Sequence, residues 1–330
     1  MRYLDLDATI AAMPPLAEQV RLAEVALIGV EEGGQVPGKM AVHPRSASSI
    51  AYAMPAAYAG RDQQGPTAIG VKWVTVFPAN GGVGLPTVDS LMIMNDPATL
   101  EPTEIMNGGA ITAARTAAVS GVIIRHFAPE LAAPPIVAVV GAGVQGRSHL
   151  PMLGYLVPGA TVRIYDRHAD RAEALVDVAA GTPGIKWAQS TNSSRDAIAE
   201  ADIIITAASF GPQRQQMSIE WLKRRCLVVA VDYDVYLSAE VADSASVFLV
   251  DELAGFRNSC EEGRFSGFPE PSGTIGSRLQ SGADGHTEER AVVAHLGMGL
   301  TDVLFADAIA RTARSMGVGL ELPAGEAAAP

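Results

Sequence analysis

Cysteine is nearly absent from this chain: only Cys226 and Cys260 occur, too few for the disulfide framework that holds many small secreted domains together. The first residues, MRYLDLDATI, lack the basic-then-apolar pattern of a signal peptide, so a cytoplasmic location is the expectation. No apolar run reaches the roughly 18 to 20 residues a membrane helix needs, because Gly, Pro or charge interrupts the longest candidates. Lys/Arg-rich runs are missing too, and the formal net charge of −12 disfavours nonspecific contact with nucleic acid or an acidic membrane surface. The six histidines show no His-x-x-x-His spacing and the cysteines no Cys-x-x-Cys spacing, so no metal site is expected. What is abundant is apolar side chain, 48% of 330 residues against 18% charged, which suits two domains with substantial cores and small-molecule chemistry.

Residues 136 to 166 read IVAVVGAGVQGRSHLPMLGYLVPGATVRIYD: a β-branched run, a glycine turn, a helix-length segment and a second strand ending in an acid. Gly141 permits the tight turn, Gly143 lets the backbone approach a pyrophosphate, and Gly146 lets the helix pack closely on the strand. Val144 and Gln145 open that helix, where unpaired N–H groups can receive phosphate. Asp166 stands at the end of the next strand, where a carboxylate can bond the ribose hydroxyls of NAD and repel the extra phosphate of NADP. Arg167 beside it pulls the other way, so NAD is placed ahead of NADP rather than to its exclusion. Pro151 falls inside the helix and predicts a kink or a short first segment.

Around this unit the text changes character. Asp7 is a candidate cap for a first helical turn, and Leu16, Val20, Ala23, Leu27 and Val30 recur at helical spacing until Gly33 and Gly34. From Lys39 to Asn95, short β-like runs separated by Gly, Pro and Asn predict an antiparallel sheet. A long Ala-rich helix follows from Gly109. After Asp166 come the helix RAEALVDVAA, a short capped helix from Ser194 to Glu200, and strands DIIITAA, CLVVAVD and SVFLVD. This alternation predicts a doubly wound parallel sheet of the Rossmann type over about 118–300, beside a smaller α+β domain. The Gly-, Ser- and Pro-rich stretch 261–285 reads as a loop, either a lid or a surface excursion, and Leu300 to Met316 as a helix stopped by Gly317.

Three basic residues stand out in the first part. Lys72 interrupts AIGVKWVTVF, where it is either buried for a reason or points to water from an edge strand. Arg45 and Arg115 could each make a bidentate pair with a substrate carboxylate, or be structural. Asp232 and Asp234, in CLVVAVDYDV, fall beyond the end of a predicted parallel strand, where ligands of open α/β sheets bind and a carboxylate can trade protons with an amine.

Taken together, GVKWVTVFPANGGVGLPTV (70–88), ITAARTAA (111–118), VVGAGVQG (139–146), ADIIITAA (201–208), VVAVDYD (228–234) and HLGMGLTDVLFA (295–306) resemble the ornithine cyclodeaminase/mu-crystallin family over nearly the whole chain. The resemblance implies a homodimer, with a substrate-binding and dimerisation domain (1–117 with 301–330) and a central dinucleotide-binding domain (118–300). Carried over residue by residue, it makes Lys72 the active-site lysine and Asp234 the acid/base, with Asp232 as the competing register. Arg45 and Arg115 become the carboxylate-binding arginines, and Thr116 joins Arg115 at the cofactor phosphate. Thr206, Ala207, Val231, His295 and Gly297 join the glycine turn among the cofactor contacts, His295 replacing the family's usual serine. Tyr52 stands where ornithine cyclodeaminases carry a Glu for the distal amine, three residues before Pro55. The activity implied is therefore NAD(H)-dependent reduction of a small 2-imino acid to an L-amino acid. Ornithine or lysine cyclodeamination is the runner-up, and non-catalytic NAD(P)H binding the third reading.

Overall fold

A computed structural model describes residues 1–44, 49–59, 68–130, 134–209, 214–282 and 289–323. The chain divides into two compact units, Met1–Arg115 with Met298–Pro330, and Thr116–Gly297. The first opens with β1 (Arg2–Leu4), α1 (Leu6–Ala11) and α2 (Leu16–Glu31). The cap of α1 is Asp5, not the expected Asp7: Asp5 precedes the first helical residue in extended conformation, so its carboxylate accepts from Ala8 N at 2.9 Å, whereas Asp7 already lies in the first turn. Four strands follow, β2 (Met40–Val42), β3 (Ile50–Tyr58), β4 (Ala68–Val76) and β5 (Val88–Asn95), then β6 (Pro102–Asn107) and α3 (Gly108–Phe127), within which the division between the units falls.

The second unit runs β7 (Ile136–Val140), α4 (Val144–Leu156), β8 (Ala160–Tyr165), α5 (Ala169–Ala180), β9 (Ile185–Ser190), α6 (Ser194–Ile198), β10 (Ile203–Thr206), β11 (Leu227–Ala230), α7 (Ala239–Asp243), β12 (Val247–Val250), α8 (Leu253–Glu261), β13 (Gly273–Thr274), α9 (Ile275–Gln280) and β14 (Ala291–Ala294). All pairings are parallel, in the order β13-β12-β14-β11-β10-β7-β8-β9. The chain leaves β7 toward β8 on one side and returns to β10 on the other, so the order reverses between β7 and β10. Strands β7, β10, β11, β12 and β14 are buried on both faces from their second residue, which is why they read as continuous apolar runs rather than alternations. Pro151 lies inside α4, which continues to Leu156, so the short first segment does not form. The stretch 261–285 is not one loop. Within it Phe265 is buried, β13 pairs with β12, and α9 begins at a capping box between Thr274 and Ser277; residues 283–288 lie outside the described set.

The chain then returns to the first unit through α10 (Gly299–Met316) and β15 (Leu320–Glu321), with Gly317 closing α10 at φ 68°. The sheet order there is β15-β1-β6-β5-β4-β3-β2, antiparallel except for β1 with β6. Helix α10 packs on α2, β3, β4 and β5. It buries Val303, Phe305, Ile309 and Ala313, with each large side chain contributing about 1.5–3 kcal/mol of apolar transfer. Its first residue is Gly299 because a Cβ there would come within 3.0 Å of the Met54 and Pro55 carbonyl oxygens of β3.

Candidate functional site

In the first unit, alternation along β4 turns Trp73 to one face and Lys72 to the other, opposite Met54 of β3 and Met92 of β5. An edge position is thereby excluded, and Lys72 is only 1% exposed. Its ammonium lies 2.6 Å from Oδ2 of Asp302 in the first turn of α10, and donates at 3.5 Å to Thr112 Oγ1 of α3. Arg115, one turn further along α3, donates from Nε to the other oxygen of Asp302 at 3.0 Å. Asp302 is wholly buried. Burial pushes Lys72 down to about 8, against the pull of Asp302 upward and with Arg115 and Lys39 pushing the same way as burial. Lys39 is half-buried ahead of β2 with its ammonium 6.0 Å from the centroid of Tyr52. Tyr52 sits two residues before Met54, on the same face of β3. Arg45 lies outside the described residues.

In the second unit the glycine turn sits where the strand order reverses. Gly141 has φ 114°, and a Cβ on it would approach the Ala207 carbonyl oxygen beyond β10 to 2.4 Å. A Cβ on Gly146 would come within 2.0 Å of the Gly141 oxygen, while Gly143 faces open space. No side chain caps α4, whose first N–H groups, at Val144, Gln145 and Gly146, have no partner within the helix. Asp166 is fixed by two backbone donors, Ala142 N at 2.8 Å and His168 N at 2.9 Å. Beside it opens a cavity of about 300 Å³, lined by Gly141, Tyr165, Asp166, Arg167, Arg171 and Tyr236 among others.

Beyond β10 and β11 lie the two acids. Asp232 is buried and accepts from Thr206 Oγ1 at 2.6 Å and Ala208 N at 3.1 Å; desolvation raises it to about 7. Asp234, also buried, accepts from Arg214 at 2.7 Å and from Phe265 N at 2.9 Å. Tyr233 between them adopts φ 61°, a left-handed conformation that is uncommon for a bulky residue and is held by stacking on Phe265 and under Arg264. Val231 donates its N–H to Thr206 O at 2.8 Å.

His295, just past β14, shares the Ser120 hydroxyl with His149: the distances are 2.9 Å and 2.8 Å. His149 Nδ1 lies 2.6 Å from the Gln145 carbonyl, which can only accept, so Nδ1 carries the proton and Nε2 receives the Ser120 hydrogen. Burial lowers His149 to about 4, keeping it neutral. The string therefore runs in one direction, from His295 Nε2–H through Ser120 to His149. Gly297 donates to Asp251 at 2.7 Å, and Thr116 is buried next to Arg115 in α3.

Sequence reasoning missed Asp302, Lys39, Arg214 and the Ser120–His149 pair. Asp302 lies in the quoted HLGMGLTDVLFA, and an acid inside an otherwise apolar helix stripe is the signal that could have found it. Among the described residues, no group of three His, Cys, Asp or Glu could hold a metal ion, and no helix is long and apolar enough to cross a membrane.

A chain with this parallel-sheet unit, glycine turn and buried lysine belongs to the ornithine cyclodeaminase/mu-crystallin family, whose sequence model matches residues 4–316. It is 28% identical to the nodulation efficiency protein NfeD of Rhizobium meliloti, covering 97% of each chain. It is 27% identical to an alanine dehydrogenase of Archaeoglobus fulgidus, over 77% of this chain and 79% of that one. The structure of Thermococcus litoralis Δ1-pyrroline-2-carboxylate reductase, in complex with NADH and L-proline, shares the fold with a TM-score of 0.83 at 23% identity, covering 98% of this chain and all of that one.

Proposed function

We propose that the protein is an NAD(H)-dependent imine reductase, or L-amino-acid dehydrogenase, that converts a small 2-imino acid such as iminosuccinate, iminopropionate or a cyclic imine into an L-amino acid. The observation that carries this reading is the buried cluster of Lys72, Arg115 and Asp302: two cations share one carboxylate, so the cluster keeps a net positive charge suited to a substrate carboxylate. Arg45 keeps the carboxylate-binding role that the resemblance implies, and Lys39 supplies a further cation near Lys72. Asp234 is our acid/base.

The glycine turn fits a dinucleotide, because the strand-end carbonyl leaves no room for a Cβ at Gly141 and Gly143 is open to an approaching group. Gly141, Gly143, Val144, Gln145 and Gly146 would hold the diphosphate with Arg115 and Thr116, and Asp166 the adenosine ribose, which favours NAD over NADP despite Arg167. Thr206, Ala207, Val231, His295 and Gly297 complete the set. When bound, NADH supplies the hydride. Arg45, Lys72 and Arg115 hold the carboxylate, Asp234 delivers the proton, and the string from Ser120 to His149 fixes which nitrogen of His295 bears hydrogen. The names of the Archaeoglobus and Thermococcus relatives agree with this chemistry. Cyclodeamination is disfavoured: Tyr52 has no carboxylate for a distal ammonium, and Lys39 lies over its ring.

The test is NADH oxidation followed by absorbance with pyruvate, glyoxylate or oxaloacetate plus ammonia or methylamine, and with a cyclic imine. Amine-dependent consumption is expected. No consumption, with ammonia released from ornithine by catalytic NAD, would make the protein a cyclodeaminase; NADH binding that none of these compounds perturbs would make it a binding protein.

We also place it in the cytoplasm as a homodimer. Free Cys226 and Cys260 fit a reducing compartment. For the dimer the support is one face of the first unit's sheet, where Met40, Ala53, Trp73 and Leu91 form a cross-strand row and the three larger side chains are 43–60% exposed. Light scattering should give twice the chain mass, and Leu91→Arg should halve it. A monomeric wild type refutes the assignment.

A further inference from the structure

Asp302 has no part in the reading above beyond its charge, yet it is the most deeply buried acid near Lys72. Three ionised groups from three elements, β4, α3 and α10, meet with almost no access to water. Such a triad is a poor device for stability, since apolar residues of similar volume in its place are often neutral or stabilising. Its geometry is better suited to binding. Asp302 gives one oxygen to each cation, and it takes Arg115 by Nε, the flank of the guanidinium, rather than by the terminal nitrogens best suited to a bidentate hold on another carboxylate.

We propose that Asp302 is a positioning residue, holding Lys72 and Arg115 side by side as a preformed clamp for the substrate carboxylate. This rests on the functional reading above for the identity of the anion, but not for the effect on Lys72. The charged groups acting on Lys72 are Asp302 from α10, Arg115 from α3 and Lys39 from the segment ahead of β2; only Asp302 favours its charged form. Without that carboxylate, burial and the two cations act unopposed. At neutral pH Lys72 is mostly charged in the native protein, and mostly neutral once Asp302 is replaced by an uncharged isostere.

The chain has four lysines, Lys39, Lys72, Lys186 and Lys223, so [ε-13C]lysine NMR resolves each one, with Lys72 identified by Lys72→Arg. Lys72 should titrate at about 8 in the wild type. In Asp302→Asn it should titrate about one to three pH units lower, with Lys186 and Lys223 unmoved. Kinetically, Asp302→Asn should raise KM for the imino acid about tenfold or more at pH 7.5 with kcat within about threefold, and KM should recover as pH falls and Lys72 recharges. An unchanged Lys72 titration in folded Asp302→Asn overturns the proposal, whatever the turnover. Absence of turnover on every imino acid overturns the functional reading alone. Should Asp302→Asn fail to fold, the wild type decides: the rise of KM at alkaline pH must coincide with the Lys72 titration, and a KM that is flat through that titration refutes the clamp.

Discussion

Asp234→Asn is expected to lower kcat by roughly 10²- to 10⁴-fold, the ordinary contribution of a general acid/base, while KM changes by no more than about threefold because the carboxylate is held by other residues. The structure sharpens what this variant does. Both oxygens of Asp234 accept from donors, Arg214 at one and the Phe265 amide at the other, and each oxygen keeps a further lone pair on which a proton can sit. Phe265 donates from the backbone of a buried residue, whereas Arg214 is a third exposed, so Arg214 is the more dispensable of the two partners. Asparagine presents an amide NH2 to one of these donors and cannot reproduce the pair of contacts. Arg214→Gln should therefore spare much of the activity that Asp234→Asn removes. The rival acid is Asp232, which burial places at about 7. If Asp232 delivers the proton, Asp232→Asn takes the loss and a limb near neutrality disappears from the kcat profile, while Asp234→Asn stays active.

What could be read from the chain beforehand was what is enforced locally. Gly141 and Gly146 are legible because a backbone turn and two close carbonyl approaches admit no side chain, and Asp166 because a carboxylate at a strand end has a fixed offset from that turn. Lys72 was legible as one charge inside an apolar run. Its partner was not: Asp302 belongs to a helix whose period points to a core, and nothing in either segment reveals that α10 lies across β4. The same holds for Ser120, His149 and His295, each unremarkable alone, which form a directed string only because α3, α4 and the end of β14 converge. Short elements were lost for another reason. β13 and α9 sit in a Gly- and Ser-rich stretch and are too brief to show a period, while β9 is an edge strand with mostly exposed or half-exposed residues, so no apolar run marks it.

Two of these buried groups give the protein opposing acid responses, and separating them is the second large effect. His149 titrates at about 4 in the folded state against an ordinary 6.5, so between those values the unfolded chain binds a proton that the folded one refuses. Its contribution is fully present above 6.5 and is lost as pH falls to 4, a change of about 3 kcal/mol. Asp232 is raised from 3.8 to about 7, so over that window the folded chain keeps a proton the unfolded one releases. Its contribution is present below 3.8 and is lost as pH rises to 7, about 4 kcal/mol. The two slopes therefore oppose each other across most of the acid range in the native protein. Asp232→Asn removes the second slope and leaves the first, so its stability relative to wild type should climb by about 4 kcal/mol from pH 4 to pH 7, measured by urea midpoints at constant m. Taking the difference from wild type cancels the titration of every carboxylate that does not interact with Asp232, which leaves its neighbour Asp234 outside the cancellation. A difference that stays flat across this range would mean that Asp232 is ionised in the folded protein throughout. That result would also remove it from contention as the proton donor and leave Asp234 alone in the role.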